Sequence, residues 1–252
     1  MEYYGLAGRS LKHNFSAKIF TEKFDRERLD ARYDPYELDS AAEIPGLFHS
    51  NKHLIGLNVT IPFKENVIGF LDELTEEAKA IGAVNSIAPT PKGLKGHNTD
   101  ALGFRKSLLE FLPAAFSGDA LILGTGGSSK AVRHVLENLP GTRTVKTVSR
   151  VTKGVEILNY TQLNGETVSR FQLLVNCTPC GMFPELDSMP AIPLDRITKA
   201  HFLYDLVYNP AETALMRKFS EKGGKVCNGL AMLQIQAEES WKFWQKMKAE
   251  MV

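Results

Sequence analysis

The sequence has no apolar run of the roughly 18 residues or more that a membrane-crossing helix requires. Nor does it carry an excess of one charge: 30 Lys and Arg stand against 29 Asp and Glu, for a net charge of +1. That balance argues against a dedicated binder of nucleic acid or of another polyanion. The opening MEYYGLAGRSLKHN lacks a basic segment followed by a long apolar one, so no secretory leader is expected. Cysteine is scarce. Three residues, Cys177, Cys180 and Cys227, make an odd number for a disulfide framework. Cys177 and Cys180 form a C-x-x-C, but a structural zinc needs a second ligand pair, and Pro179 and Gly181 place this segment in a loop. With 43% hydrophobic and 23% charged residues, disorder is excluded in turn. The expectation is a cytoplasmic protein without a metal, engaging neither nucleic acid nor membrane, and either a monomer or a homodimer.

What the sequence does contain is an alternation of short apolar runs with helical periods, the pattern of an α/β protein. Tyr3 to Ala7 reads as a strand, Ser16 to Phe24 as a helix capped by Ser16, and Leu54 to Val59 as a second strand. Pro62 suits the first position of a helix carrying Val67, Ile68 and Leu71. Ala83 to Ala88 is a further strand, and Asn98-Thr99-Asp100 caps a helix bearing Phe104, Leu108 and Leu109. Leu173 to Val175 and His201 to Leu206 add strands, and Ala211 to Glu221 a helix. From Leu230 to about Lys248 a last helix sets Leu230, Leu233, Ala237, Trp241 and Trp244 three and four apart, one apolar face seeking a core. Two compact units are expected, 1–102 and 103–229.

The clearest unit is ALILGTGGSSKAVRHVL, a buried strand, a glycine turn and an amphipathic helix, with a second strand at Thr144 to Ser149. A dinucleotide pyrophosphate needs close backbone approach and the free N–H groups of a helix N-terminus. Gly124, Gly126, Gly127 and Ser128 are placed to supply both, although the third glycine of G-x-G-x-x-G is Ser129. An NAD-preferring site would end the second strand on an acid that binds the ribose hydroxyls. Here that strand ends in Ser149-Arg150, with Lys153 beyond. Charge-assisted hydrogen bonds to a 2′-phosphate, about 1.5–3 kcal/mol each, favour NADP.

Three polar segments of the first unit are chemically loaded: Asn58 to Lys64, Gly82 to Asn85, and Gly96 to Asp100. Lys64 falls in the expected first helical turn, where the macrodipole disfavours a cation, and a charge so placed hints at function. These segments resemble the signature of the shikimate dehydrogenase family. Further matches run in order along the chain: Gly124 to Ser129, Asn176-Cys177-Thr178 to Gly181-Met182, Asp205 with Tyr208 and Pro210, and Gly229 to Met232-Leu233 with Gln236-Ala237.

The resemblance implies an N-terminal α/β substrate domain, 1–102, completed by a C-terminal helix, 230–252, that returns to it. A Rossmann-like doubly wound NADP domain, 103–229, would follow. It implies reversible NADPH-dependent reduction of 3-dehydroshikimate to shikimate, on the route to chorismate and the aromatic amino acids. Lys64 and Asp100 would be the catalytic pair. Asn14, Ser16, Thr60, Asn85, Tyr208 and Gln236 would hold the substrate, and Gly229 and Met232 would line the nicotinamide. The chain departs from the family at His13-Asn14-Phe15-Ser16-Ala17, where a His-Ser-x-Ser-Pro segment is usual. An amide at Asn14 still donates, so the departure bears on affinity more than on reaction type. Two rival readings follow: a quinate/shikimate dehydrogenase using NAD or accepting quinate, and a non-catalytic NADP sensor on the same fold.

Overall fold

The computed structural model describes residues 1–11, 15–151 and 157–251. It divides into two compact units, Met1–Gly103 with Gln234–Val252, and Phe104–Leu233. No helix among the described residues is long and apolar enough to cross a membrane.

The first unit contains β1 (Glu2–Gly8), α1 (Phe15–Glu27), β2 (Ala31–Glu37), α2 (Ile44–Ser50), β3 (Leu54–Val59), β4 (Glu73–Leu74), α3 (Glu76–Ile81), β5 (Ser86–Thr90), β6 (Gly93–His97) and the start of α4 (Asp100–Phe111). The sheet order is β2-β1-β3-β5-β6-β4, parallel through β2, β1 and β3, with β5 antiparallel to both β3 and β6. Side chains on β1 alternate between faces. Tyr4 and Leu6 pack with Phe20, Phe24 and Trp244, whereas Ala7 on the opposite face packs with Ile44, Phe48 and Leu57. β2 carries Pro35, which cannot donate to a ladder and is confined to a sheet edge, where β2 lies.

The second unit contains the rest of α4, then β7 (Gly118–Leu123), α5 (Gly127–Glu137), β8 (Thr142–Ser149), β9 (Ile157–Asn159), α6 (Gly165–Ser169), β10 (Phe171–Asn176), β11 (Phe202–Asp205), α7 (Ala214–Glu221) and β12 (Lys225–Asn228). Its sheet is parallel throughout, in the order β9-β8-β7-β10-β11-β12. This is the doubly wound Rossmann-like arrangement, whose strand order reverses between β7 and β10. Ligands of such sheets bind outside the strand C-termini at that reversal, and here the loops after β7 and β10 meet: a Cβ on Gly124 would lie 3.2 Å from Thr178 and 3.4 Å from the Cys177 carbonyl. The last helix, α8 (Leu230–Ala249), belongs to the first unit from Gln234 onward. There Ala237, Phe243, Trp244 and Met247 join the Tyr4–Phe20 core.

Several local expectations need correction. α1 starts at Phe15, so Ser16 lies inside the first turn and does not cap it. No regular helix begins at Pro62. The Ile61–Pro62 peptide is cis, residues 60–65 form successive turns, and only Asn66–Phe70 closes as a short 3₁₀ helix, with Gly69 weakening the run. Lys64 therefore precedes the helical run, and no helix dipole acts against its charge from a first turn. β5 begins at Ser86, three residues after Ala83, because Gly82 ends α3 in the left-handed region and the chain turns there first. α7 starts only at Ala214, capped by Thr213, whose Oγ1 accepts from Met216 N–H. Leu109 and Leu230 are exposed, since Leu108 with Leu112 and Leu233 with Ala237 already fill the buried stripes of their helices.

Two positions show how packing constrains these units. Gly56 on β3 lies under the Trp244 indole, and a Cβ there would overlap the ring. Gly56→Ala is expected to cost about 1–3 kcal/mol by overpacking, read as a lowered denaturant midpoint at unchanged m. In the second unit, fully buried Asp205 ends β11. It accepts from Asn176 Nδ2 at 2.9 Å, Val207 N–H at 3.1 Å and Thr213 Oγ1 at 2.8 Å, tying the loop after β10 to the loop before α7. Loss of hydration outweighs these donors and pushes its carboxyl up to about 6 from 3.8. A raised folded-state value means the native state holds the proton more tightly, so this contribution is fully present below about pH 3.8 and is lost as pH rises through about 6. Asn at this position keeps the acceptor for Asn176 and Val207. Asp205→Asn should therefore gain stability over the parent chain between pH 4 and pH 8, by about 2–3 kcal/mol. Parallel stability profiles for the two proteins would contradict this.

Candidate active site

The polar side chains of the first unit converge on one buried cluster. Lys64 is placed by its neighbours: Phe63 is buried, its N–H donates to Thr60 O at 2.9 Å, and Lys64 O accepts from Val84 N–H at 2.7 Å. The Lys64 side chain, 12% exposed, reaches Asp100, 2% exposed, with Nζ 2.6 Å from Oδ2. Asp100 opens α4. Asn98 Oδ1 accepts from Ala101 N–H at 3.1 Å and its Nδ2 donates to Ala83 O at 2.9 Å, so Asn98 both caps the helix and ties it to the segment before β5.

Asn85 joins the pieces. Its N–H donates to His97 O at 3.1 Å, and its Oδ1 accepts from Thr99 N–H at 2.7 Å. Nδ2 lies 2.9 Å from Asp100 Oδ1, 2.8 Å from Gln236 Oε1 on α8 and 2.9 Å from Thr99 Oγ1. Both Asp100 carboxylate oxygens therefore accept, one from an ammonium and one from an amide. Behind Asn85 stand Asn58, Tyr33 and Ser240, all buried. His97, between Thr75 and the Phe243 ring, is held at about 4 by loss of hydration, with Glu239 opposing, and stands neutral at neutral pH.

Of the residues expected at the site, the structure thus brings together Lys64, Asp100, Asn85 and Gln236. Ser16 lies in the same unit on α1, and Thr60 just past β3 with its N–H on Ala7 O. Tyr208 lies in the second unit, in the loop after β11, where burial raises its phenol above the ordinary value. Asn14 and Lys153 fall outside the described residues. Thr99 and Asn58 were visible only as members of polar motifs. Tyr33 and Ser240 were missed; the one signal for Ser240 is its place four residues after Gln236, on the same helix face.

The glycine turn of the second unit fits a dinucleotide phosphate. Gly124 has φ +104°, a conformation that favours glycine. Gly126 stands at the N-cap of α5 with no side-chain cap, and a Cβ there would meet nothing within 4 Å. Gly127 and Ser128 form the first turn of α5, the part of a helix whose N–H groups point toward an anion. At the end of β8, Ser149 Oγ accepts from Val151 N–H and lies 3.5 Å from Thr125 Oγ1, and Arg150 is exposed. Gly229 packs so closely on the Leu206 carbonyl that no side chain fits, and Met232 is buried.

Comparison with known proteins agrees with this arrangement. Residues 6–87 match the family described as the shikimate dehydrogenase substrate binding domain. The NADP(+) shikimate dehydrogenase of Carboxydothermus hydrogenoformans is 36% identical, covering 95% of this chain and 90% of its own. Shikimate dehydrogenase 1 from Peptoclostridium difficile superposes with a TM-score of 0.85 at 32% identity, covering 98% of this chain and 92% of the other. Shikimate 5-dehydrogenase from Thermus thermophilus, in complex with NADP(H) and shikimate, superposes with a TM-score of 0.84 at 29% identity, covering 98% and 94%. Similarity at this level over nearly the whole length carries one conclusion: the chain belongs to the shikimate dehydrogenase family.

Proposed function

We propose that this protein is an NADP-dependent oxidoreductase that interconverts 3-dehydroshikimate and shikimate, a step toward chorismate and the aromatic amino acids, with Lys64 and Asp100 as its catalytic pair. The observation that carries this reading is the buried Lys64–Asp100 contact, flanked by Asn85 and Gln236. When bound, the nicotinamide supplies or accepts the hydride. Lys64 holds a proton where the substrate oxygen turns negative as the ketone is reduced, stabilises that charge, and passes the proton on; in the reverse direction it receives the proton of the hydroxyl. Asp100 holds the Lys64 ammonium in place and presents a carboxylate oxygen to a ring hydroxyl. Asn85 and Gln236, with Thr60, Ser16, Asn14 and Tyr208, bind the substrate hydroxyls and carboxylate.

In the same reading the domain formed by the first unit binds substrate and the second binds NADP. Gly124, Gly126, Gly127 and Ser128 take the pyrophosphate at the N-terminus of α5, and Ser149, Arg150 and Lys153 take the 2′-phosphate. Gly229 and Met232 line the nicotinamide. We assign the reaction to the cytoplasm and to a small-molecule substrate.

The direct test is reduced-nicotinamide absorbance with shikimate or quinate paired with NADP⁺ or NAD⁺. Rapid reduction confined to shikimate with NADP⁺ is expected; preference for quinate or NAD⁺ would displace this reading. Lys64→Ala should lower kcat about 10²-fold or more while NADPH still binds, because the lost interaction belongs to the transition state. Near-normal turnover in that variant would remove Lys64 from the mechanism. Arg150→Ala should weaken NADPH binding about tenfold, the value of one exposed charge-assisted hydrogen bond, and leave NADH binding unchanged. Equal losses for both cofactors would refute the 2′-phosphate assignment.

A further inference from the structure

Asn85 is oversubscribed. Its Nδ2 has two protons and three acceptors within reach, Asp100 Oδ1, Gln236 Oε1 and Thr99 Oγ1. Neither this amide nor that of Asn58 is free to turn over. Asn85 Oδ1 faces the Thr99 main-chain N–H, which only donates, and Asn58 Nδ2 faces the Asn85 main-chain carbonyl, which only accepts. What settles the competition is the direction of two hydroxyls. Asn58 gives its other Nδ2 proton to Ser240 Oγ at 2.8 Å, while Tyr33 OH donates to Asn58 Oδ1 at 2.9 Å. The Ser240 and Thr99 hydroxyls lie 3.2 Å apart and either can donate; with the single Thr99 hydroxyl proton on Asn85 Oδ1, the Ser240 proton is the one left for this contact. Thr99, supplied by Ser240, turns its proton to Asn85 Oδ1 at 3.3 Å. Both Asn85 protons are then left for Asp100 and Gln236.

We infer that Ser240, fully buried on α8 and linked to Asp100 through Thr99 and Asn85, is a positioning residue for the active site: its hydroxyl fixes the direction of a hydrogen-bond chain that runs Tyr33, Asn58, Ser240, Thr99, Asn85 and ends on Asp100 and Gln236. The importance of this chain for turnover rests on the function proposed above; the chain itself does not. Without the Ser240 proton, Thr99 Oγ1 takes one from Asn85, and either Asp100 or Gln236 loses a donor.

The test uses Ser240→Ala, Thr99→Val and the double variant in the full chain. In ¹⁵N-labelled protein, one Asn85 side-chain amide proton should change partner from the Asp100 or Gln236 oxygen to the Thr99 hydroxyl in Ser240→Ala, read as a displaced Asn85 side-chain amide resonance, while core backbone amides keep their protection. KM for shikimate should rise about tenfold with KM for NADP⁺ unchanged, a split that a merely structural loss would not give. Because Ser240 and Thr99 act on one chain, the double variant should be no worse than Thr99→Val alone, whereas independent roles would add. Unchanged Asn85 side-chain amide resonances in Ser240→Ala overturn the proposal whatever the kinetics, as does additivity in the double variant. A displaced Asn85 side-chain resonance in a protein that turns over no shikimate would sustain the positioning role and defeat the functional reading instead.

Discussion

A lysine and a carboxylate, both almost wholly out of water, make the interaction around which the first unit is organised. Burying such a pair costs several kcal/mol of hydration per ion, and their attraction offsets this only where further hydrogen bonds satisfy the remaining lone pairs and protons. The surroundings of Lys64 and Asp100 meet that condition: Asn85 serves the second Asp100 oxygen, and Asn98 holds the start of α4 against Ala83 O. A hydrophobic pair of similar volume would pack there without the desolvation cost. That an ion pair occupies the place instead accords with chemistry at this point, and with the family to which the chain belongs.

The demand for satisfied polar groups spreads outward. Asn85 needs Thr99 and Gln236, Thr99 needs Ser240, and Ser240 needs Asn58, which in turn is held by Tyr33. These residues come from β2, β3, the entry to β5, the start of α4 and α8, so the C-terminal helix has a polar as well as an apolar reason to return to the first unit. On its apolar side Trp244 lies over Gly56, where any side chain would collide. The second unit obeys a different constraint. Its sheet is parallel, with near-continuous apolar strands at β7 and β10, and the Gly124–Gly126 turn stands just past the end of β7.

Much of this was readable along the chain because it is local. The β7–α5–β8 unit declares itself through a buried strand, a glycine turn and an amphipathic helix in immediate succession, and β3 has the bounds its apolar run predicts. The segments that misled are those in which tertiary contacts override a local signal. Pro62 looks like a helix start, yet Phe63 is drawn into the core and Lys64 is paired with Val84, so the chain turns instead. β2 carries little local signal, since Asp34 and Pro35 are unfavourable in a strand, and it forms because an edge position tolerates proline.

By itself, then, the sequence determined the α/β class, the glycine turn, the basic end of β8 and the candidate status of Lys64, Asp100 and Asn85, all signals carried by a few adjacent residues. Only the tertiary structure decided that Lys64 and Asp100 touch, that Gln236 reaches Asn85 from 151 positions away, and that Ser240 and Tyr33 belong to the same polar chain. The physical reason is that a hydrogen bond is specified by distance and direction in space. Neither is encoded by spacing along the chain once the partners lie on different elements, and a lone serine on a helix has no local signature until its neighbours' protons are counted.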